Sequence, residues 1–225
     1  MTSILTRPIT SYAKVQALLG HAFRNRTWQV RRERARSLRY LDIGCGLNAH
    51  SNFVNLDYRW HPGIDVCWDI RHGLPFSTAS MKGVFSEHCL EHFSIPKGIL
   101  LIGELRRVLR HDGVLRIVVP DAERYLRTYV RQTDGDSSAI FPFQETAPIC
   151  GIESPILHVN RVFYQDRESP YGHQVMYDFS LLRELLLSRG FSWVERASFR
   201  QGRDPVLLID SADRESESLY LEAGG

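Results

Sequence analysis

The sequence has no apolar run long enough to cross a membrane. Its apolar stretches, such as residues 95–103, are far shorter than the roughly 20 residues that a transmembrane helix needs. The amino terminus also has no hydrophobic segment of the kind that directs secretion. We therefore expect a protein without a transmembrane segment that works in the cytoplasm.

Cysteine is scarce, and its four positions are far apart: Cys45, Cys67, Cys89 and Cys150. No two of them form a C-x-x-C pair, so a zinc site built from cysteine is disfavoured. In a cytoplasmic protein we expect reduced thiols rather than disulfides.

The length and composition are those of one ordinary globular domain. A chain of 225 residues can bury one substantial core but is too short for two independent enzymatic domains. The hydrophobic fraction of 43% and the charged fraction of 24% exclude disordered and collagen-like classes.

Positive charge is concentrated at the start of the chain. Residues 1–40 contain nine Lys or Arg and one acid, Glu33, so this part has a net charge of +8 and the rest −6. Apolar residues at helical spacing predict that residues 1–38 form a basic N-terminal helical segment, helical over 11–38, ahead of a domain over 39–225. The basic face is either simply solvated or binds an anionic partner, such as phospholipid, nucleic acid or a phosphorylated substrate.

From residue 39 onward, strand patterns alternate with helical periodicity. Apolar and β-branched runs predict strands at residues 38–44, 53–57, 64–70, 82–88, 114–120, 192–199 and 218–223. Helical periodicity falls at residues 94–111, 122–132 and 178–191. The alternation predicts an α/β fold with a mainly parallel sheet, whose polar residues at the carboxyl ends of strands converge on one crevice. Residues 133–176 lose this periodicity, which predicts an irregular insertion or lid.

Two glycines follow the first predicted strand, in the motif "LDIGCG". Gly44 and Gly46 let the backbone approach a ligand closely because they have no Cβ. The dinucleotide pattern G-x-G-x-x-G needs a third glycine where this chain has Ala49, and Asp57 follows too soon, so NAD is disfavoured. A P-loop is excluded because the sequence has no G-K-S or G-K-T.

Two aspartates end successive predicted strands. Asp57 could accept hydrogen bonds from both hydroxyls of a ribose, and Asp69 one from an adenine amino group, with Ile70 against the ring. The alternative is that each aspartate caps a helix or a turn.

The densest polar cluster is "SEHCLEHF", residues 86–93. Three interpretations of it remain open. It is a polar helix start without chemistry, or it supplies His88 or His92 as a general base, since histidine titrates near neutrality. In the third interpretation, His88, Glu91 and His92 bind a divalent metal.

Taken together and in this order, the motifs resemble the class I S-adenosylmethionine-dependent methyltransferases, in particular the methyltransferase type 11 group. The matching segments, over about residues 39–200, are "LDIGCG", "VNLD", "WDIRHGLPF", "VFSEHCLEHF", "ELRRVLRHDGVLRIVVPD" and "GHQVMYDFSLLRELLLSRGF". The resemblance implies a Rossmann-like seven-stranded, mostly parallel sheet with helices on both faces. It also implies an antiparallel last strand, with the irregular insertion before the final helix.

The resemblance also implies which residues hold S-adenosylmethionine. They are Gly44, Cys45 and Gly46 at the methionine end, Asp57 at the ribose, Asp69 and Ile70 at the adenine, and Ser86 and Glu87 facing the sulfonium. Asn48 replaces the usual third glycine, and the helix that normally joins the first two strands is reduced to a loop, so Asn48 or Arg59 would supply further donors. Some methyltransferases bind a metal through an E-x-x-E-H cluster, but His88 stands where its first Glu would be, and we assign no metal ligand.

We therefore predict methyl transfer from S-adenosylmethionine to a small-molecule or carrier-linked acceptor by in-line displacement. His88 or His92 would act as the base where the acceptor carries a proton, and residues 133–176 would cover the acceptor. Two alternatives remain. One is a non-catalytic cofactor-fold protein that binds an anionic partner through its basic N-terminus, and the other is a metal-dependent enzyme centred on residues 87–92.

Overall fold

A computed structural model describes residues 11–142, 154–163 and 172–225. Its strands are β1 (Tyr40–Ile43), β2 (Val54–Asp57), β3 (Val66–Cys67), β4 (Met81–Glu87), β5 (Leu109–Pro120), β6 (Trp193–Ala197) and β7 (Ser218–Gly224). They form one sheet in the order β3-β2-β1-β4-β5-β7-β6. β7 is antiparallel to both of its neighbours, whereas β1 to β5 pair in parallel. The predicted Rossmann-like α/β fold with an antiparallel last strand is confirmed.

The helices in the described residues are α1 (Ser11–Phe23), α2 (Glu33–Ser37), α3 (Ile95–Val108), α4 (Ala122–Thr133), α5 (Pro155–Phe163) and α6 (Phe179–Ser188). Short 3-10 turns occur at Thr27–Arg31, Ile70–His72, Leu90–His92, Pro205–Leu207 and Ala212–Arg214. None of the helices in this part of the chain has the length and apolar character of a membrane span.

The N-terminal segment is broken into three short pieces, so the single helical run predicted over residues 11–38 is wrong. After α1, Asn25 has a φ of +60°, a left-handed conformation through which a right-handed helix does not continue. Asn25 and Gln29 instead bind the edge of the sheet. The Asp69 N–H donates to Asn25 Oδ1, and the Cys67 N–H donates to Gln29 Oε1. Asn25 and Gln29 therefore attach this part of the basic segment to β3 and the residues that follow it.

One face of the sheet is covered by α3 and α6. Their buried side chains include Ile102 and Leu105 on α3 and Leu182 and Leu186 on α6, which pack against alternate residues of the central strands. The Asp178 carboxylate accepts a hydrogen bond from the Leu181 N–H and caps the first turn of α6. This face carries the main apolar core.

The other face is covered differently. No α-helix joins β1 to β2, where residues 44–53 form a loop, as expected from the short gap between the two strands. Within the described residues, the chain between β6 and β7 and its two 3-10 turns cover this face, where Leu207 packs on Phe85 and Tyr220. Arg116 on β5 holds that connection through buried ion pairs.

The predicted insertion, residues 133–176, contains a regular helix that the sequence did not predict. That helix, α5, packs on α4 through Tyr125, Phe141, Val159 and Val162. Cys150 lies in the insertion outside the described residues, whereas Cys45, Cys67 and Cys89 are buried and free.

Candidate functional site

A cavity of about 430 Å³ opens at the carboxyl ends of the parallel strands. It has the size of typical small-molecule sites and the position at which such sheets bind ligands. Eight of the residues predicted from the sequence line it: Gly44, Gly46, Asp57, Arg59, Asp69, Ile70, His88 and His92. The structure thus brings together residues that are up to 48 positions apart in the chain.

The loop after β1 is shaped by its two glycines. Gly44 has a φ of +69°, and a Cβ there would lie 2.6 Å from Cys89 Sγ, so no other residue fits. Gly46 has a φ of +53°, and nothing lies within 4 Å of the position that its Cβ would take. The backbone at Gly46 therefore faces open space on the cavity side.

Asp57 fastens this loop to the end of β2. The Gly46 N–H donates to Asp57 Oδ2 at 3.0 Å, and the Arg59 N–H donates to Asp57 Oδ1 at 2.7 Å. A carboxylate oxygen has two lone pairs, so both oxygens keep acceptor capacity toward the cavity.

Asp69 caps the 3-10 turn that follows β3. Its carboxylate accepts from the Arg71 N–H at 3.1 Å and pairs with the Arg71 guanidinium at 2.6 and 2.8 Å. Burial alone raises the pKa of Asp69, but the hydrogen bonds from Arg71 prevail and bring it below the usual value. The hydrogen bonds of Asp69 are therefore those of a turn cap, as the alternative interpretation expected. The residue also lines the cavity.

Four predicted residues are not among the described residues that line the cavity. Cys45 is buried against Ile64 and Cys67, and Asn48 is exposed on the loop. Ser86 is buried within β4. Glu87 accepts hydrogen bonds from the N–H and the hydroxyl of Ser211.

The reason for the place of Glu87 is the alternation of side chains along a strand. Glu87 lies two residues after Phe85, so it points to the face that the connection between β6 and β7 covers. Burial there raises the pKa of the Glu87 carboxyl.

Sequence reasoning missed several residues of the cavity wall. They are Leu56, Tyr58, Trp68, Arg71, Cys89, Phe93, Lys97 and Gln174. Tyr58 and Trp68 adjoin the two strand-end aspartates, and that adjacency was the available signal. Gln174 had no such signal, because it belongs to the aperiodic insertion.

His88 and His92 line the cavity, where His88 contacts Glu91 and His92 contacts His173. His88 Nε2 is 2.8 Å from Ser218 Oγ, and burial, with the nearby positive charge of Arg214, lowers the pKa of His88 to about 3. His88 is therefore neutral at pH 7 and a weak base. Glu91 is fully buried, and burial raises the pKa of Glu91 to about 8. His173, from the insertion, has a pKa that burial lowers to about 4.

The buried Asp42 should make stability depend on pH. Burial first, and then the nearby carboxylates Glu87 and Asp57, raise the pKa of Asp42 well above its usual value. The folded chain then holds a proton that the unfolded chain releases, so stability falls as pH rises from about 4 through the raised pKa. As the pH is raised, we expect the free energy of unfolding of Asp42→Asn to increase relative to that of the wild type.

Urea unfolding of both proteins at pH 5 and pH 8 measures this difference. The gain of Asp42→Asn should be larger at pH 8, because the neutral amide replaces a carboxyl whose ionised form is disfavoured. An equal difference at the two pH values would contradict the expectation.

Comparison with known proteins gives a family match. Residues 46–117 match the family model described as a methyltransferase domain. No curated protein matches the sequence.

Solved structures of similar shape are also methyltransferases. A SAM-dependent methyltransferase from Archaeoglobus fulgidus is 14% identical over 88% of this chain and 92% of that chain, with a TM-score of 0.49. One from Thermotoga maritima, described as a possible histamine N-methyltransferase, is 15% identical over 94% of each chain, with a TM-score of 0.48. At these identities and scores, the similarities carry no conclusion about activity.

The family match spans β2, β3, β4, α3 and most of β5, the elements that form most of the cavity wall. It begins at Gly46, within the loop that Asp57 fastens, and it includes the strand-end aspartates and the cluster at residues 86–93. The match agrees with the predicted enzyme class, a methyltransferase with S-adenosylmethionine as cofactor, and covers 72 of the 225 residues.

Proposed function

We propose that this protein transfers the methyl group of S-adenosylmethionine to a small-molecule or carrier-linked acceptor. The observation that carries the proposal is the cavity, where the glycines after β1, Asp57 after β2 and Asp69 after β3 line one opening. Ligands of parallel α/β sheets bind at this edge, and the volume suits a molecule of the size of the cofactor.

The groups around the cavity fit the parts of the cofactor. The open space beside Gly46 accommodates the methionine end, and the Asp57 oxygens accept from the ribose hydroxyls. Ile70 and Trp68 offer apolar surface to the adenine, and Trp68 is fixed by its indole N–H, which donates to the Gly73 carbonyl at 2.8 Å. The Asp69 carboxylate pairs with Arg71, so we assign Asp69 to positioning the cavity wall beside the adenine.

When bound, S-adenosylmethionine supplies a methyl group that its sulfonium already activates. The residues of the chain have to hold the acceptor in line with that methyl group and exclude water. Phe93 and Trp68 give the wall apolar surface for this. For an acceptor that carries a proton we assign His92 as the base, because the low pKa of His88 makes His88 a weak base.

We infer that the acceptor approaches from the side of the insertion. A recess of about 30 Å³ lies beyond His88, lined in part by His158 and Arg161 of α5 and by Arg214. The small volume of the recess favours a small molecule or the end of a carrier-bound group.

The proposed partner of the basic segment and the cytoplasmic location stay predictions. Some of the basic side chains are engaged within the chain: the Arg24 guanidinium lies 3.6 Å from the centre of the Tyr58 ring, and Arg34 pairs with Asp65 at 2.9 Å. These contacts favour a structural role for part of the segment. The three buried free cysteines agree with a reducing compartment.

Calorimetric titration of the full chain with S-adenosylhomocysteine, the expected product, tests the proposal. We expect one binding site per chain, and NAD at the same concentration should give no binding heat. No binding of S-adenosylhomocysteine or S-adenosylmethionine at millimolar ligand would refute the methyltransferase proposal.

Gly46→Ala should weaken cofactor binding about tenfold or more. The added methyl group enters the open space of the cavity, and the left-handed backbone at a non-glycine residue costs about 1–2 kcal/mol in stability. Gly135→Ala is the matched control, because Gly135 also has a positive φ and open surroundings but lies outside the cavity. Both variants should lose similar stability in urea, whereas calorimetry should show weaker binding for Gly46→Ala alone. Equal affinities would contradict the assignment of Gly46.

A further inference from the structure

The starting observation is a buried carboxylate without hydrogen bonds. Glu91 is 1% exposed, and neither of its side-chain oxygens has a hydrogen-bond partner in the described part of the chain. A buried carboxylate without such partners is costly, and native proteins nearly always provide a proton, a donor or a cation for it. His88 Nδ1 lies 3.5 Å from Glu91 Oε1 but forms no hydrogen bond with it, so Glu91 still needs a proton or a cation.

His173 is oriented toward that carboxylate. Its Nδ1 lies 2.7 Å from the Val162 carbonyl, which only accepts hydrogen bonds, so Nδ1 carries the proton. In the neutral ring the lone pair is then on Nε2, and Nε2 lies 3.8 Å from Glu91 Oε1. When Glu91 is ionised, two acceptors face each other across this gap. A histidine whose far nitrogen donates to a backbone carbonyl is the usual arrangement of a metal ligand.

His92 completes the group. Glu91, His92 and His173 each offer one donor atom, and these atoms all lie within 4.8 Å of one another. The Leu90–His92 turn brings Glu91 and His92 side by side. The backbone N–H groups of Gln174 and Val175 both donate to the Glu91 carbonyl and hold the insertion, with His173, over that turn.

We propose that Glu91, His92 and His173 bind one divalent transition-metal ion of the zinc class at the wall of the cavity. Two imidazoles and one carboxylate suit such ions, whereas magnesium and calcium prefer oxygen ligands throughout. Zinc at about 2.0–2.1 Å from each donor would draw the donors to roughly 3.3 Å from one another, a small closure of the three side chains. Three protein ligands leave a coordination position for water, as in catalytic zinc sites. His92 also lines the cavity, and with the ion bound it would act as a ligand in place of its proposed role as a base.

Metal titration of the full chain, first stripped with a chelator, tests the site without relying on activity. We expect one equivalent of Zn²⁺ by calorimetry, and visible d–d absorption bands when Co²⁺ is used instead. His173→Ala and Glu91→Gln should each weaken Zn²⁺ binding about tenfold or more and change the Co²⁺ bands. His111→Ala, which removes an exposed histidine on β5, is the control and should bind like wild type.

Circular dichroism and urea unfolding show whether each variant is folded, and Glu91→Gln keeps the shape of the side chain if His173→Ala does not fold. Absence of one-equivalent binding, or binding that neither variant weakens, would overturn the proposal and leave a proton shared by Glu91 and His173 as the alternative. The site does not depend on the proposed methyl transfer. Calorimetry with S-adenosylhomocysteine on metal-free protein therefore distinguishes failure of one proposal from failure of the other.

Discussion

Arg116→Ala should lower the free energy of unfolding by about 3–5 kcal/mol, because it leaves buried carboxylates without their cation. Arg116 is fully buried on β5 and pairs with Asp210 at 2.6 Å and Glu222 at 3.1 Å. Asp210 and Glu222 are buried as well. Removal of the cation leaves two carboxylates that cannot reach water in the folded state.

All five N–H donors of the Arg116 guanidinium are used. Two bind Asp210, one binds Glu222, and two bind the backbone carbonyls of Ser198 and Gln201. These bonds attach the connection between β6 and β7 to one face of the sheet. On that face no α-helix joins β1 to β2. Arg116 thus substitutes in part for the packing of that helix.

Urea unfolding followed by circular dichroism measures the effect. Arg110→Ala, which removes an exposed arginine from the same strand, is the control and should cost less than about 1 kcal/mol. Arg116→Lys should fall between wild type and Arg116→Ala, because lysine keeps the charge but not the paired donors. It also provides a measurement if Arg116→Ala does not fold. A cost for Arg116→Ala as small as that of Arg110→Ala would contradict the role of the network.

Asp57→Ala should weaken S-adenosylhomocysteine binding about 100-fold, the largest effect on the cofactor. The substitution removes the proposed acceptor of the ribose hydroxyls, and hydrogen bonds to a charged group contribute about 1.5–3 kcal/mol each. It also removes the acceptor of the Gly46 N–H, which frees the loop after β1.

Calorimetry on three variants separates these contributions. Asp57→Asn keeps one oxygen acceptor and should bind with intermediate affinity. Asp112→Ala removes an exposed aspartate on β5 far from the cavity and should bind like wild type. If Asp57→Ala binds as tightly as wild type, the ribose assignment is wrong.

The cavity residues that were predicted from the sequence all lie at or just after the carboxyl end of a strand. Asp57 and Asp69 were found because a parallel sheet gathers the carboxyl ends of its strands at one edge. Glu87 sits at such an end too, yet its side chain points to the opposite face, toward Ser211. Side chains along a strand point alternately to the two faces of the sheet. Which residues point to which face depends on the register of the strand, and only the structure shows that register.

His173 shows the limit of sequence patterns more clearly. It lies 82 positions after Glu91 in the aperiodic insertion, and no spacing rule connects the two. Their approach depends on the backbone bonds from Gln174 and Val175 to the Glu91 carbonyl. The sequence suggested His88 as a partner of Glu91 and His92. His88 Nδ1 does lie 3.5 Å from Glu91 Oε1, but the cluster of three closely placed donors is completed by His173.

The sequence by itself determined the strands, the main helices, the glycine turn and the strand-end aspartates, because these depend on short-range periodicity and on backbone conformations that only certain residues adopt. Three features were decided only by the tertiary structure. They are the break in the N-terminal helix, the attachment of the connection between β6 and β7 to the second face through Arg116, and the contact between His173 and Glu91. Each of these depends on contacts between residues far apart in the chain, where burial and pairing outweigh local preference.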